Sequence, residues 1–315
     1  MLIIFGILII LFALLGTPLF IVLGAASLLA YFVNDINPSI IMVEMTRLST
    51  SPTLLAIPLF TFSGYILSES NTPRRIINLV QAFFGWMPGG LAVVALVSCA
   101  LFTAFTGASG ITIIALGGLL YPILIQEEYS EKFSLGLLTS SGSLGLLFPP
   151  SLPIILYGLV SNTSIDKLFI AGIIPGVLLI ILLSIYSINK GFVLRVSREK
   201  PSLKKIIHSI KDSIWEIPLP FIILGGIYGG FFTVTEAAAV TAFYILIVEV
   251  FIYRDLNLFK DVPLIMKKSM LLVGGILVIL GIALGFTNYL IDQEIPMKIL
   301  EFIKTYFENK ILFLI

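Results

Sequence analysis

Residues 133–160 form an apolar segment that contains the adjacent prolines Pro149 and Pro150, a third proline at Pro153, and a run of small polar residues just before them. Proline has no backbone N–H and clashes with the preceding helical turn, so a helix that enters this segment must break. The flanks are too apolar for water, which predicts that the break lies at membrane depth. An unpaired carbonyl costs several kcal/mol in hydrocarbon and is tolerated only where it is buried in protein or lines a polar cavity.

Discontinuous membrane helices of this kind bind ions and substrates in secondary transporters. Carbonyls freed by the break, and the hydroxyls near it, are hard oxygen ligands that suit a small cation such as sodium. The segment therefore predicts part of an ion or substrate site. The alternative is an ordinary proline kink packed against a neighbouring helix.

The composition indicates an integral membrane protein. Hydrophobic residues make up 58% of the chain and charged residues 12%, with a mean hydropathy of +1.09, whereas about a quarter of a typical globular domain is charged. A net charge of +1 gives no case for a nucleic-acid partner. Cys99, the only cysteine, is expected to be a small core residue, and His208, the only histidine, to be solvated in a basic connector.

The sequence contains no metal-ligand cluster, nucleotide-binding loop or nucleophile constellation. Ser140, Ser141 and Ser143 have no neighbouring histidine or lysine in the sequence that could activate them. We therefore expect neither an enzyme nor a resident cofactor, and no metal beyond a transported sodium ion.

The first 32 residues are apolar and lack both a basic leader and a clear cleavage site, which indicates a membrane span and not a signal peptide. As one straight helix they would measure roughly 48 Å against a hydrocarbon core of about 30 Å. The Gly16-Thr17-Pro18 sequence is therefore expected to bend or divide them.

Further spans are predicted at residues 52–67, 168–188, 217–232, 236–253 and 271–290, with amphipathic interfacial pieces at 76–86 and 296–307. The apolar stripe of the first piece comprises Ile76, Ile77, Val80, Phe83 and Phe84. Connectors 189–212 and 254–268 are rich in lysine and arginine, so the positive-inside rule predicts that both are cytoplasmic.

Two apolar halves, 90–106 and 111–125, are joined by Gly107-Ala108-Ser109-Gly110. Because this tip has no charge and no turn-length polar loop, it predicts a re-entrant hairpin whose tip meets the broken helix near the membrane midplane. Two ordinary spans with a tight turn are the alternative.

The order of the elements predicts an inverted repeat. A span, an interfacial helix and a hairpin occur first at about 52–125, and a span, an interfacial helix and an apolar beginning recur from 271 onward with the opposite entry side. A second hairpin and a second broken helix would complete the repeat. Their absence predicts a chain cut short at its C-terminus.

Thr233 and Glu236 precede an alanine run at the spacing of a capping box. A carboxylate is also favoured at a helix N-terminus by the helix dipole. Helix capping is the simpler interpretation, and an ion-linked or proton-linked role is the alternative. The cost of about 3 kcal/mol for a carboxylate at the bilayer centre favours a position near the outer interface.

Several of these stretches together resemble the large membrane subunit of tripartite ATP-independent periplasmic (TRAP) transporters. The resemblance covers nearly the whole chain and is carried by residues 16–18, 55–60, 106–110, 141–153, 167–176 and 232–239.

The resemblance implies sodium-coupled symport of an organic acid, such as a C4-dicarboxylate or sialic acid, across the cytoplasmic (inner) membrane of a bacterium or archaeon. It also implies an elevator motion, a small four-helix membrane subunit and a periplasmic substrate-binding protein. By match, the ion- and substrate-binding residues are Thr106, Gly107, Ser109, Gly110, Ser141, Gly142, Ser143, Pro149, Pro150 and Ser151.

The sequence thus predicts an all-α polytopic membrane protein of the inverted-repeat elevator type. Its expected parts are a scaffold with an interfacial arm helix (1–88), half of a transport domain (89–188), a basic cytoplasmic connector (189–215), a helix pair (216–253) and the start of a second repeat (254–315). A stand-alone ion-coupled anion transporter and a non-transporting membrane scaffold fragment are the alternative functions.

Overall fold

The computed structural model describes residues 2–87, 89–194 and 202–306, and within them all regular structure is helical. This confirms the all-α prediction. In chain order the helices are α1 (Leu2–Leu14), α2 (Leu19–Val33), α3 (Ser39–Ser49), α4 (Ala56–Glu69), α5 (Thr72–Phe84), α6 (Gly90–Thr106), α7 (Ser109–Ala115), α8 (Gly117–Gln126), α9 (Glu131–Leu144), α10 (Leu152–Ser161), α11 (Ile165–Leu194), α12 (Leu203–Asp212), α13 (Pro218–Tyr228), α14 (Val234–Ile247), α15 (Asp261–Asp292) and α16 (Ile295–Tyr306).

Short 3₁₀ helices occupy Pro52–Leu55 and Gly145–Leu147, and a π-helix at Val248–Ile252 continues α14. Among the described residues, three single helices are long and apolar enough to cross a bilayer: Ile165–Val193, Val234–Ile252 and Asp261–Asp292. Val234–Ile252, with 19 residues, is close to the roughly 20 that a membrane span requires, whereas the other two helices, with 29 and 32 residues, are longer than the hydrocarbon core.

Several predicted boundaries need adjustment. The Gly16-Thr17-Pro18 sequence divides the first apolar stretch into α1 and α2, as predicted. The second basic connector is shorter than predicted, because α15 begins at Asp261 and includes Lys267 and Lys268. Part of the first connector is also helical, since α11 runs to Leu194 and α12 begins at Leu203. Phe307, predicted to end the second amphipathic piece, lies outside the described residues.

The chain forms two compact units. One consists of residues 52–273, and the other of residues 1–51 together with 274–315. Scaffold and transport domains are defined by which part of the protein moves during transport. The predicted assignment of residues to these domains therefore stays a prediction.

In the unit of residues 52–273, α6 lies at the centre and packs against α4, α5, α9 and α11. Its residues Val94, Leu96 and Phe102 have no exposed surface, and neither does Cys99, which confirms the core position predicted for this cysteine. α5 contributes Ile76, Ile77 and Val80 to the same core. Phe83 and Phe84 of the predicted stripe are instead exposed.

The unit that contains residues 1–51 and 274–315 has a thin core. The hydroxyl of Tyr31 donates a hydrogen bond to the carbonyl of Gly285, and a Cβ added to Gly281 would lie 2.8 Å from the Met45 side chain. Many large apolar side chains of α1 and α2 are exposed, among them Leu14 and Phe32, each with 81% of its surface accessible. Such surfaces suit a lipid environment.

An ion cluster joins α5 to the segments that flank α13 and α14. The Arg75 guanidinium contacts Glu216, lies 2.9 Å from Glu249 and 2.7 Å from Asp255, and sits 3.8 Å from the centre of the Tyr253 ring. Burial acts to lower the pKa of Arg75, but the carboxylates of Glu249 and Glu216 outweigh it and raise the pKa above its ordinary value. The guanidinium therefore stays charged and holds the three carboxylates together.

Candidate functional site

The first polar tip is a glycine-terminated helix end. α6 ends at Thr106, and Gly107 adopts a left-handed conformation with φ of +67° while its N–H donates to the Thr103 carbonyl at 2.7 Å. Glycine is the residue that occupies this region without steric cost. Ala108 is extended and α7 begins at Ser109, so the chain reverses within two residues.

The two halves that meet at this tip are short. α6 has 17 residues, which corresponds to about 26 Å, less than the hydrocarbon core of about 30 Å. The returning half consists of α7 and α8, which bend by 50° at their junction. These lengths lie at the lower limit for a membrane span, so the choice between the predicted re-entrant hairpin and two spans with a tight turn stays a prediction.

The second polar tip is the break at the adjacent prolines. α9 ends at Leu144, a 3₁₀ turn covers Gly145–Leu147, and α10 resumes at Leu152 with a bend of 44° between the two arms. Pro149, Pro150 and Ser151 are all buried. The sequence prediction of a broken helix is thus confirmed, and the break is enclosed by protein.

The two tips are in contact. A Cβ added to Gly107 would lie 3.3 Å from the Pro150 carbonyl oxygen and 3.4 Å from the Leu152 nitrogen. Behind the tips, a Cβ on Gly142 would lie 2.9 Å from the Ile113 side chain and 3.5 Å from the Ser109 carbonyl oxygen. Close backbone approach at these glycines brings the hairpin tip against the broken helix, as the sequence predicted.

Three threonines cluster beneath the hairpin tip. The Thr103 hydroxyl donates to that of Thr112 at 2.7 Å, and the hydroxyls of Thr106 and Thr112 are 3.3 Å apart. All three side chains have no exposed surface. The cluster ties the two halves of the hairpin together and places oxygen atoms next to Gly107.

Ser151 is the unsatisfied polar group of the site. Its side chain has no exposed surface, and its hydroxyl has no hydrogen-bond partner, although Ser151 precedes α10 at a position where serine commonly caps a helix. A buried hydroxyl without a partner costs about 1–3 kcal/mol. Ser151 adjoins Pro150, whose carbonyl faces Gly107, so this hydroxyl lies where the two tips meet.

The chain matches, over residues 5–315, the family model described as "Tripartite ATP-independent periplasmic transporter, DctM component". The chain belongs to the DctM family. Together with its apolar spans, this makes it a multi-pass protein of the inner membrane.

Curated relatives of this DctM-family chain are large permease proteins. It is 35% identical to the ectoine TRAP transporter large permease protein TeaC of Halomonas elongata, over 91% of this chain and 68% of the relative. It is also 35% identical to the C4-dicarboxylate TRAP transporter large permease protein DctM of Pseudomonas aeruginosa, over 88% and 64%. Identity to the ectoine/5-hydroxyectoine protein UehC of Ruegeria pomeroyi is 33%, over 91% and 68%. The chain thus spans about two thirds of the length of these relatives.

Not every predicted site residue lies at the contact between the tips. Gly110 is exposed with open space around it. Ser143 is also exposed, and its hydroxyl donates to the Thr139 carbonyl at 3.1 Å. The hydroxyl of Ser141 is buried but donates to the Leu137 carbonyl of its own helix. A ligand role for these three residues stays a prediction.

The predicted capping box is present at the start of α14. The Thr233 N–H donates to the Glu236 carboxylate at 2.8 Å, and the Glu236 N–H donates to the Thr233 hydroxyl at 3.3 Å. Glu236 is exposed. The capping interpretation is confirmed, and an ion-linked role stays a prediction.

Sequence reasoning missed Thr103 and Thr112, and it missed the glycines that support the tips. A Cβ on Gly64 would lie 2.6 Å from the Thr106 carbonyl oxygen, and a Cβ on Gly172 would lie 2.3 Å from the Leu147 carbonyl oxygen. Thr103 could have been identified from the sequence, because it lies three residues before Thr106 in the otherwise apolar segment 90–106. Such a pair lies on one face of a helix.

Proposed function

We propose that this DctM-family chain forms the large membrane component of a sodium-coupled TRAP transporter that imports an organic anion. C4-dicarboxylates and sialic acid are the substrates that we expect. The observation that carries the proposal is the contact between two polar tips, Gly107 against Pro150, with the buried and unpartnered hydroxyl of Ser151 beside it. Membership of the DctM family supports the assignment to this transport class.

The oxygen atoms at the tips are of the kind that sodium prefers. The Ser151 hydroxyl is free of any protein partner, and the Pro150 carbonyl lies beside it. A sodium ion bound there would satisfy the hydroxyl and add positive charge at the tips, next to which a carboxylate is favoured. In this proposal sodium binds first and prepares the site for the anion.

Coupling to the membrane potential sets a condition on stoichiometry. Each net positive charge moved inward contributes about 2.3 kcal/mol per 100 mV, which corresponds to roughly fiftyfold accumulation. Import gains from the potential only if sodium ions outnumber the negative charges on the substrate. For a doubly charged C4-dicarboxylate, three or more sodium ions are needed for this gain.

The proposal includes an elevator motion and two partner proteins. The two tips would move as one body past a scaffold, carrying the bound anion across the membrane. A small membrane subunit would enlarge the scaffold, and a periplasmic binding protein would deliver the substrate. The DctM family model describes one component of a tripartite system, which supports the expectation of partners.

The test is uptake of a radiolabelled C4-dicarboxylate into proteoliposomes that contain this chain and the small subunit, with the binding protein added outside. We expect uptake in sodium, and loss of uptake when potassium replaces sodium. Uptake that is equal in the two salts would refute sodium coupling. Uptake without the binding protein would favour a stand-alone transporter. No uptake of labelled C4-dicarboxylate, sialic acid or ectoine in any salt would favour a scaffold.

The substrate itself can be identified by competition in the same assay. The names of the relatives include ectoine and C4-dicarboxylates, so members of this family differ in what they carry. Unlabelled C4-dicarboxylate, sialic acid and ectoine are added in turn at a hundredfold excess. An uncharged sugar at the same excess is the control. We expect C4-dicarboxylate or sialic acid to abolish uptake and the sugar to have no effect.

A further inference from the structure

Helix α12 has three distinct faces. Its apolar residues recur every three or four positions, at Leu203, Ile206, Ile207 and Ile210, and Ile214 continues this line. Ser209 and Ser213 lie on a second face, and Lys204, His208 and Lys211 lie on a third. A helix with one apolar and one basic face is typical of a membrane surface.

The serine face is covered by protein. α12 packs against α5, and the side chains of Ser209 and Ser213 are buried. The Ser213 hydroxyl donates to the Arg75 carbonyl at 3.4 Å. The small serine side chains allow close approach, so α12 is held along the interfacial helix α5 in a fixed rotation about its axis.

This rotation leaves the apolar face without a protein partner among the described residues of its own unit. Leu203 is 78% exposed and Ile207 is 55% exposed, and Ile210, Ile214 and Trp215 are also exposed. Apolar surface costs about 25 cal/mol per Å² in water. Since α12 lies between the membrane-spanning α11 and the apolar α13, the bilayer is close enough to cover this face.

The basic face adjoins the apolar face along one edge. Helix α12 carries three lysines against one aspartate, Asp212, which lies 3.3 Å from His208. Lys204 and Lys211 project from the helix next to the apolar stripe, whereas Lys205 lies on the opposite side. Lysines so placed extend toward the headgroups while their stems lie along the apolar surface.

Aromatic residues contact the C-terminal end of α12 and the residues that follow it. The hydroxyl of Tyr244 donates to the Trp215 carbonyl at 2.8 Å, and that of Tyr253 donates to the Asp212 carbonyl at 2.7 Å. Tryptophan and tyrosine concentrate where the membrane meets water. Trp215 therefore lies at the depth where α12 would meet lipid.

We infer that α12 is a membrane-surface helix that selects anionic phospholipids. Its apolar face enters the bilayer, and Lys204 and Lys211 bind the phosphate-bearing headgroups. The charge of the basic face argues for an anionic lipid over a neutral one, because a lysine near such a surface contributes about 1 kcal/mol, or roughly fivefold in local lipid preference. This inference is independent of the proposed transport function.

Trp215 provides a reporter for the test. The sequence has two tryptophans, so Trp86→Phe leaves Trp215 as the only one. The full chain is reconstituted in mixed phosphatidylcholine and phosphatidylglycerol vesicles, with bromine on the acyl chains of one lipid or the other. We expect brominated phosphatidylglycerol to quench Trp215 with a preference of about fivefold or more over brominated phosphatidylcholine.

Matched variants identify the residues responsible. The double variant K204Q/K211Q should reduce the preference to about one, and K204R/K211R should retain it. The control K298Q/K304Q neutralises two exposed lysines of the other amphipathic helix, α16, and should change nothing. Circular dichroism checks that each variant keeps its helicity.

Three results would overturn the inference. Equal quenching by the two lipids would show that α12 does not select anionic lipid. A preference that survives in K204Q/K211Q would assign the lipid to other basic groups. Quenching by neither lipid would mean that protein covers the apolar face, such as a second copy of the chain.

Discussion

Arg75 Nη2 lies 2.9 Å from Glu249 Oε2, and the Glu249 side chain has no exposed surface. Glu249 belongs to the π-helix that continues α14, and Thr72 of α5 donates a second hydrogen bond to it at 2.8 Å. π-Helices are rare and frequently occur at functional sites. This π-helix contains the buried carboxylate of Glu249. The pair fixes α5, the predicted interfacial helix, to the end of α14.

Arg75→Ala is expected to destabilise the protein strongly. Removing one member of a buried ion pair leaves an uncompensated charge, which costs about 3–5 kcal/mol. Thermal unfolding of the detergent-purified chain measures the effect. Arg74→Ala is the matched control, because Arg74 is exposed on the same helix, and a melting temperature that falls equally in both variants would contradict the buried-pair explanation.

Stability should decrease in acid partly because of Asp255. Partial burial acts to raise the pKa of Asp255, but hydrogen bonds from Asn71 and Arg75 outweigh it and hold the pKa below its ordinary value. Such a carboxylate stabilises the fold above its unfolded pKa, near 4, and this contribution is lost as the pH falls through the lower folded value. Asp255→Asn should therefore reduce the difference in melting temperature between pH 6 and pH 3. An unchanged difference would contradict this assignment.

The general fold could be predicted from sequence because the length of an apolar segment and the position of helix-breaking residues determine the backbone locally. Gly16-Thr17-Pro18 divides α1 from α2, and Pro149-Pro150 divides α9 from α10, since proline and glycine change the backbone whatever surrounds them. The start of α15 was placed too late because Asp261 and Lys267 read as a polar loop. A membrane helix can include charged residues near its end, because their long side chains reach water at the membrane surface.

Gly107→Ala should impair both stability and uptake. A Cβ at this left-handed position costs about 1–2 kcal/mol, and it would also press on the Pro150 carbonyl 3.3 Å away. Gly118→Ala on α8, in the returning half of the same hairpin, is the control, because open space surrounds Gly118. We expect a lower melting temperature and at least a tenfold loss of sodium-dependent uptake for Gly107→Ala alone. Equal behaviour of the two variants would argue against the contact between the tips.

Glu236→Gln separates the two interpretations of the capping box. Glutamine can replace glutamate in this motif, so the cap is kept while the charge is lost. We expect the melting temperature and the sodium dependence of uptake to stay close to those of the parent. A stable variant that has lost sodium-dependent uptake would instead assign Glu236 an ion-linked role.

The details of the site could be predicted only in part, because they depend on contacts between distant segments. Polar residues in apolar surroundings indicated the two tips, and the resemblance to TRAP large subunits supplied Thr106, Gly107 and Ser151 as candidate site residues. The partnership of Thr103 with Thr112 and the support from Gly64 depend on how helices pack, which periodicity does not specify. The same holds for Arg75, whose sequence context indicated only a cytoplasmic position, and whose carboxylate partners lie 141–180 residues away.

Sodium dependence of uptake in a Ser151→Ala variant tests the central claim most directly, that the junction of the two tips binds the coupling ion. Because an unpartnered buried hydroxyl is destabilising, removing it should raise the melting temperature in sodium-free buffer and should not lower it in sodium. The substitution should raise the sodium concentration for half-maximal uptake by at least about tenfold, since a hydrogen bond or ligand to a charged group contributes about 1.5–3 kcal/mol. Ser161→Ala, on the same helix, removes an exposed hydroxyl bonded to the Tyr157 carbonyl at 2.7 Å and should match the parent. A Ser151→Ala transporter with the sodium dependence of the parent would contradict the claim.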